Sequence, residues 1–246
     1  MPLAYLARAF PYTPAYHART GWGPVLAVLA TFVIFIGAAA AGFGILVLAN
    51  EGQPDSQGRS LWVELLVQLL IIGLTVLAAG FFGGRRADVL ALRQPAGGWR
   101  DVANGLAFIA GVTLVYTLLT FLIFPDDLVG DLRPLWEIMQ SPWGWALALV
   151  AVIGAPLSEE LLFRGFLQSA LAKSRLGFVN AAVITTVAWT GLHAGYSLAG
   201  LGEVFLVGLV LSWLLWQTGS LWVPIICHGV YNGVIISYLA AFPVPA

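Results

Sequence analysis

The sequence predicts an all-α fold: a polytopic transmembrane helical bundle of about seven spans, within a range of six to eight. Three observations predict it. The 246 residues are 60% hydrophobic and only 9% charged, where soluble domains usually carry about 25% charged residues. Mean hydropathy is +0.90, and apolar stretches close to the ~20 residues that cross a bilayer recur along nearly the whole chain. Brief loops between them hold the glycines, prolines and charges. A soluble chain of this length could form one or two domains; this pattern reads as one integral membrane unit.

Residues 1–23 read as a cytosolic or interfacial lead-in. They lack the apolar core of a signal peptide, and Tyr5, Phe10, Tyr12, Tyr16 and Trp22 suit the headgroup zone. Residues 24–142 read as N-terminal transmembrane helices, with spans at Pro24–Ala49, Leu61–Phe82 and Val102–Phe124. The segments EGQPDSQGRS, GGRRADVLALRQPAGGWR and PDDLVGDLRP read as loops. Residues 143–246 continue the same integral domain. Their spans are Trp143–Ala172 (longer than one crossing, with Pro156 inside), Phe178–Tyr196, the short Glu203–Trp216, and Leu221–Phe242. A re-entrant segment near Gly191–Gly202 would change the count by one. There is no internal repeat of the kind that builds inverted-repeat transporters.

Basic residues fall on alternate loops. Arg8 and Arg19 precede the first span, Arg85, Arg86, Arg93 and Arg100 follow the second, and Lys173 and Arg175 follow the fourth. The intervening loops hold Arg59 or Arg133 alone, the latter beside Asp126, Asp127 and Asp131. With seven alternating spans the positive-inside rule puts the N-terminus in the cytoplasm, in a plasma (inner) membrane. A net charge of −1 gives no footprint for nucleic acid. The single Cys227 excludes an intramolecular disulfide and any CxxC site.

Against this apolar background six polar side chains stand out on late spans: Glu159, Glu160, Arg164, His193, His228 and Asn232. An ionisable group at the bilayer centre costs roughly 2.5–3.5 kcal/mol, so the three in Glu159–Arg164 would cost about 8–10 kcal/mol facing lipid unpaired. They are expected to line a buried polar chamber. Helical spacing places Glu160 and Arg164 on one face, acid first, the favourable order for an ion pair. Glu159 projects about 100° away, so one carboxylate can be neutralised while the other stays free for chemistry. The competing reading is a structural Glu–Arg bridge with Glu159 lining a wet groove. His193 closes an apolar helix before the glycine-rich GYSLAGLG, where a packing role is the alternative. His228 and Asn232 share a helix face beside Gly229 and Gly233, and could equally be interhelical glue worth about 1 kcal/mol.

A carboxylate and an imidazole on neighbouring helices can hold a water and take its proton. A His–Asn face can donate hydrogen bonds to an oxyanion. Desolvation raises a buried carboxyl's pKa toward neutrality, which suits a base at neutral pH. Neither GxSxG nor HExxH occurs. Amide hydrolysis within the membrane is therefore chemistry that these residues are suited to without a serine or cysteine nucleophile.

At these positions the chain resembles the CPBP family of intramembrane proteases, also called the CAAX protease and bacteriocin-processing or Abi family. Its three motifs are EExxxR, FxxxH and HxxxN. The first reads Glu159-Glu160-Leu-Leu-Phe-Arg164, followed by Gly165-Phe166, and the third reads His228-Gly-Val-Tyr-Asn232. The second departs as Trp189-Thr-Gly-Leu-His193; a tryptophan in place of phenylalanine keeps an aromatic wall and is expected to leave the chemistry unchanged. The likeness covers Trp143–Tyr238. It implies that Glu159 and His193 activate water, that His228 and Asn232 form the oxyanion hole, and that Glu160 and Arg164 shape and polarise the site. It implies no cofactor; a zinc held by Glu159, His193 and His228 is the alternative. The implied partners are the lipid bilayer and a membrane-associated or lipidated peptide or protein substrate. Rival readings are a non-catalytic immunity or scaffold protein of the same fold and an ion-coupled transporter. The sequence carries no signal for oligomeric state.

Overall fold

The computed structural model describes residues 14–49, 56–81 and 84–242, with no strand among them. Tyr5, Arg8, Phe10 and Tyr12 of the lead-in lie outside the described residues. Helix α1 (Pro24–Ala49) opens on a proline, whose fixed φ and missing N–H suit a first helical position. It pairs with α2 (Ser56–Gly80). A single turn, Arg86–Val89, interrupts the next loop before α3 (Trp99–Ile123). Then come α4 (Pro125–Met139), α5 (Gly144–Lys173), α6 (Gly177–Gly191), α7 (Leu198–Thr218) and α8 (Trp222–Ala241).

Among the described residues, six helices are long and apolar enough to cross a membrane, and α6 is a shorter apolar helix. Contacts between loops show that all seven alternate in direction. At one end, Lys173 donates to the Thr20 carbonyl at 2.7 Å and the Tyr16 N–H to the Trp216 carbonyl at 3.1 Å. There too Arg93 donates to the Gly219 carbonyl at 2.6 Å and the Leu221 N–H to the Ala91 carbonyl at 2.8 Å. This end gathers the lead-in and the loops after α2, α5 and α7, and with them Arg19, Arg85, Arg86, Arg93 and Arg175. We call it the basic end. At the other end Asp131 accepts from the Ser197 N–H at 2.8 Å, and the Gln140 amide reaches the Leu239 carbonyl at 3.1 Å. Asp126, Asp127, Asp131 and Glu137 make this the acidic end.

Two boundaries differ from the sequence reading. PDDLVGDLRP, read as a loop, is the first part of α4: Pro125 starts it and Asp126 and Asp127 lie in its first turn, where the helix dipole favours negative charge. The short member among the late spans is α6, not the Glu203–Trp216 segment, which extends to Leu198–Thr218. Ser197 caps α7 by accepting from the Gly200 N–H at 3.0 Å. Gly200 and Gly202 lie inside the helix, and the Asp131 carboxylate and the Tyr116 hydroxyl occupy the space a Cβ would take there. The glycines serve close approach rather than a re-entrant loop. At the basic end, Gly219 closes α7 with φ +64°, its N–H bonding the Leu215 carbonyl at 2.8 Å.

Helix α5 is not a plain α-helix. π-helical turns occupy Val150–Gly154 and Glu160–Gln168, flanking the α-helical turn Ala155–Glu159 that contains Pro156. Such turns concentrate at functional sites. From Glu160 to Leu171 every residue of α5 is buried, so this half is the axle of the bundle.

Candidate active site

Glu159 and Glu160 stand at the join of an α-helical and a π-helical turn, and the structure separates them as the sequence expects. Glu160 is fully buried. Its Oε1 lies 3.1 Å from Arg164 Nη1 and 3.1 Å from His228 Nδ1. Arg164, also fully buried, reaches the Gly208 carbonyl at 3.4 Å and stacks its guanidinium 4.5 Å from the centre of the Trp189 ring. A guanidinium this deep is tolerable because a carboxylate, a carbonyl and an aromatic face share its charge.

Glu159 points elsewhere and is partly exposed. Its Oε2 accepts a 2.6 Å hydrogen bond from the Trp189 indole N–H. Trp189 also holds His193: the imidazole Nδ1 lies 3.2 Å from the Trp189 carbonyl, and the two rings meet edge-on at 5.0 Å. The His228 ring meets the same indole at 5.6 Å. One tryptophan thus touches Glu159, Arg164, His193 and His228. It is more than the aromatic wall the sequence suggests, because phenylalanine has no N–H to offer Glu159.

Asn232 is not part of that cluster. Its amide donates to the Ala151 carbonyl at 2.8 Å, and the reason lies in α5. In the first π-helical stretch the Ala155 N–H bonds the Val150 carbonyl, five residues back. The next donor in that register would be residue 156, which is proline and has none. Asn232 supplies the missing donor from α8. One turn earlier Gly229 lets α8 approach the same opened stretch, since a Cβ there would sit 2.8 Å from the Val152 carbonyl. His228 and Asn232 therefore grip α5 on either side of Glu159.

Of the six residues expected to line one chamber, Glu159 alone lines the cavity of about 290 Å³ between α1, α2 and α5. That cavity brings in residues the sequence reading passed over. Glu64 and Gln68 of α2 line it, Gln68 Nε2 donating to Glu64 Oε1 at 3.3 Å. Glu64 and Glu159 line the same cavity. Gln68 packs its amide into the space left by Gly154, and a side chain there would displace it. An acid inside the second apolar stretch was the signal for Glu64. Nearer the acidic end, Glu203 accepts from Thr117 at 3.3 Å and from Tyr231 at 3.0 Å.

Among the described residues, no group of three or more His, Cys, Asp or Glu side chains is arranged to hold a metal ion. Glu159, His193 and His228 engage the Trp189 indole, the Trp189 carbonyl and Glu160 respectively. As arranged, this set does not fit zinc, which needs its ligands at about 2.0–2.2 Å from one point.

The family described as type II CAAX prenyl endopeptidase, Rce1-like, matches residues 141–234. An uncharacterized 24.3 kDa protein of Escherichia coli is 30% identical over 171 residues, covering 51% of this chain and 76% of that protein. The chain belongs to the Rce1-like CAAX endopeptidase family. No solved structure matches it. The family match runs from the start of α5 into α8 and takes in Glu159, Glu160, Arg164, His193, His228 and Asn232, but neither Glu64 nor the rest of α2. Family and apolar helices together make this Rce1-like protein an integral membrane protein of the intramembrane endopeptidase class.

Proposed function

We propose that this Rce1-like protein is a glutamate-dependent endopeptidase that needs no metal and cleaves a membrane-associated or lipidated peptide or protein. The observation that carries the reading is Trp189, whose indole N–H holds Glu159 and whose carbonyl holds His193. A carboxylate and an imidazole tethered to one residue form a general-base pair without a nucleophilic side chain. With Nδ1–H donating to the Trp189 carbonyl, His193 presents the lone pair of Nε2. Water held between that nitrogen and Glu159 loses a proton to the pair as its oxygen attacks the scissile carbonyl carbon. The same proton then passes to the departing amine nitrogen as the C–N bond breaks.

The oxyanion falls to His228 and Asn232. His228 Nδ1 lies 3.1 Å from Glu160 Oε1, and a ring that donates there donates from Nε2 to the oxyanion as well only when it carries both protons. Asn232 has two amide hydrogens; one serves the Ala151 carbonyl, leaving the other for the oxyanion. Glu160 and Arg164 fix this geometry and polarise the site. The metal-free version is supported by the separate engagement of Glu159, His193 and His228.

The test is cleavage of a farnesylated CAAX peptide and a panel of membrane peptides by the purified protein, with Glu159→Gln and a chelator-treated sample alongside. Turnover should survive the chelator and vanish in Glu159→Gln. Loss to chelator with recovery on adding zinc would replace the metal-free mechanism. Absence of turnover on every peptide would favour a scaffold of the same fold.

A further inference from the structure

Helix α6 carries Trp189 to the site and His193 just past its end, yet its apolar packing does little to fix where along α5 it sits. Its buried residues are Ala181, Ala182, Thr185, Thr186 and Trp189. None of these is a large aliphatic side chain, the kind that forms the ridges and grooves by which helices interlock. Small residues let membrane helices approach closely, but they also let them slide. The register of α6 has to come from something else.

Two stacked layers supply it. In the first, nearer the basic end, Gln168 of α5 reaches both α6 and α7. Its Oε1 accepts from the Thr185 hydroxyl at 3.2 Å and from the Ser212 hydroxyl at 3.1 Å, and all three side chains are fully buried. Thr185 also reaches the Ala181 carbonyl of its own helix at 2.9 Å, so its hydroxyl is held from both sides. The second layer lies four residues along each helix. There Arg164 of α5 donates to the Gly208 carbonyl of α7 and stacks on Trp189 of α6. Trp189 sits in the notch that Gly208 leaves, where a Cβ would lie 2.9 Å from its ring. The steps from 168 to 164, 185 to 189 and 212 to 208 all run toward the acidic end, because α6 is antiparallel to α5 and α7. Four residues further on, α5 reaches Glu160 and α6 reaches His193.

Buried hydrogen bonds discriminate between registers in a way that apolar contacts do not. A leucine tolerates a shift against its neighbour, whereas a buried amide or hydroxyl moved off its partner is left unpaired, the costly case. Fixing register is the best-attested use of such groups. The site needs that lock. Glu159 stands on α5, while the indole and the carbonyl that hold Glu159 and His193 belong to Trp189 on α6. The register of α6 on α5 therefore decides whether carboxylate and imidazole can share one water.

We propose that Gln168, Thr185 and Ser212 are positioning residues of the site: their buried junction sets the register of α6 on α5, and through it the placement of Trp189 and His193 against Glu159. The effect on turnover rests on the endopeptidase reading; the effect on geometry does not.

Purified full-length variants in detergent test both. Gln168→Met keeps the length of the side chain and removes both bonds, and Thr185→Val keeps the shape and removes the hydroxyl. In each, kcat on a cleaved peptide should fall about tenfold to a hundredfold, the cost of misplacing a catalytic group by up to about 1 Å, with KM unchanged. Thr185→Ser, which keeps the hydroxyl, should recover most of that loss. The second readout needs no turnover. Among the ten indole N–H resonances of the 15N-labelled protein, the one missing from Trp189→Phe belongs to Trp189, and its short bond to a carboxylate should hold it downfield. It should move upfield in Gln168→Met and Thr185→Val and stay in place in Thr185→Ser. A resonance unmoved in both folded variants, whatever their melting temperatures, would reduce the junction to packing and overturn the proposal. A moved resonance with kcat unchanged would overturn it as well. A moved resonance in a protein whose wild type cleaves no peptide would fault the endopeptidase reading and leave the positioning of Trp189 standing. If Gln168→Met does not fold, Thr185→Val and Ser212→Ala decide on the same two readouts.

Discussion

Trp189 shows what a single position contributes here. Its indole N–H donates to Glu159, its carbonyl receives His193, and its face carries Arg164. Trp189→Phe keeps an aromatic six-membered ring but removes the five-membered ring of the indole with its N–H, so kcat should fall at least about tenfold, the scale of one lost charge-assisted hydrogen bond of about 1.5 kcal/mol, with helicity by circular dichroism retained. An unaltered kcat would return Trp189 to the wall role that its alignment with the family's phenylalanine suggests. The two neighbouring acids should separate by a different pair of readouts. Arg164→Ala strands a fully buried Glu160, a loss of about 3–5 kcal/mol for a broken buried pair, and should lower the yield of folded protein together with activity. Glu159→Gln should abolish turnover at normal yield. Equal losses of yield would mark both acids as structural. The six motif residues were legible because charge is scarce in an apolar span. The partner of each was not, since helical spacing orders the faces of one helix but does not say which neighbour each face meets. The Asn232 bond to Ala151 is the clearest case.

At the scale of elements, α5 is held open where proline interrupts its hydrogen bonding and Asn232 of α8 replaces the lost donor. Pro156→Ala would restore an N–H at residue 156 and make that replacement redundant. Asn232→Ala should therefore lower the melting temperature in detergent by less in the Pro156→Ala background than in wild type, a coupling that a double-mutant cycle measures directly. Equal shifts in both backgrounds would show that Asn232 does not serve the opened turn. The sequence announced a long span with a proline inside, yet the π-helical register is invisible to a period of 3.6 and emerges only from packing. The lengths of α6 and α7 misread for a related reason. Gly200 and Gly202 resemble breakers until Asp131 and Tyr116 are seen against them.

For the molecule as a whole, the order and alternation of the apolar helices were readable from hydropathy and from the spacing of Arg and Lys, whereas the polar helix α4 was not. The loop contacts at the basic end match that alternation. What the sequence did not reveal is that α2 contributes to the site. Glu64 and Gln68 stand about ninety residues from Glu159, and only the close pairing of α1 and α2 against α5 brings them to its cavity. The family match does not extend to them.

The unbroken packing beneath Glu160 has an electrical consequence. A protein with charged groups at mid-membrane is a potential leak, and each elementary charge crossing against 100 mV represents about 2.3 kcal/mol. Here Trp22, Phe166 and the leucines around them form an insulating septum between the site and the basic end. Packing of that density leaves no route for ions between Glu159 and the basic end. Hydrolysis at such a site proceeds without discharging the membrane that surrounds it.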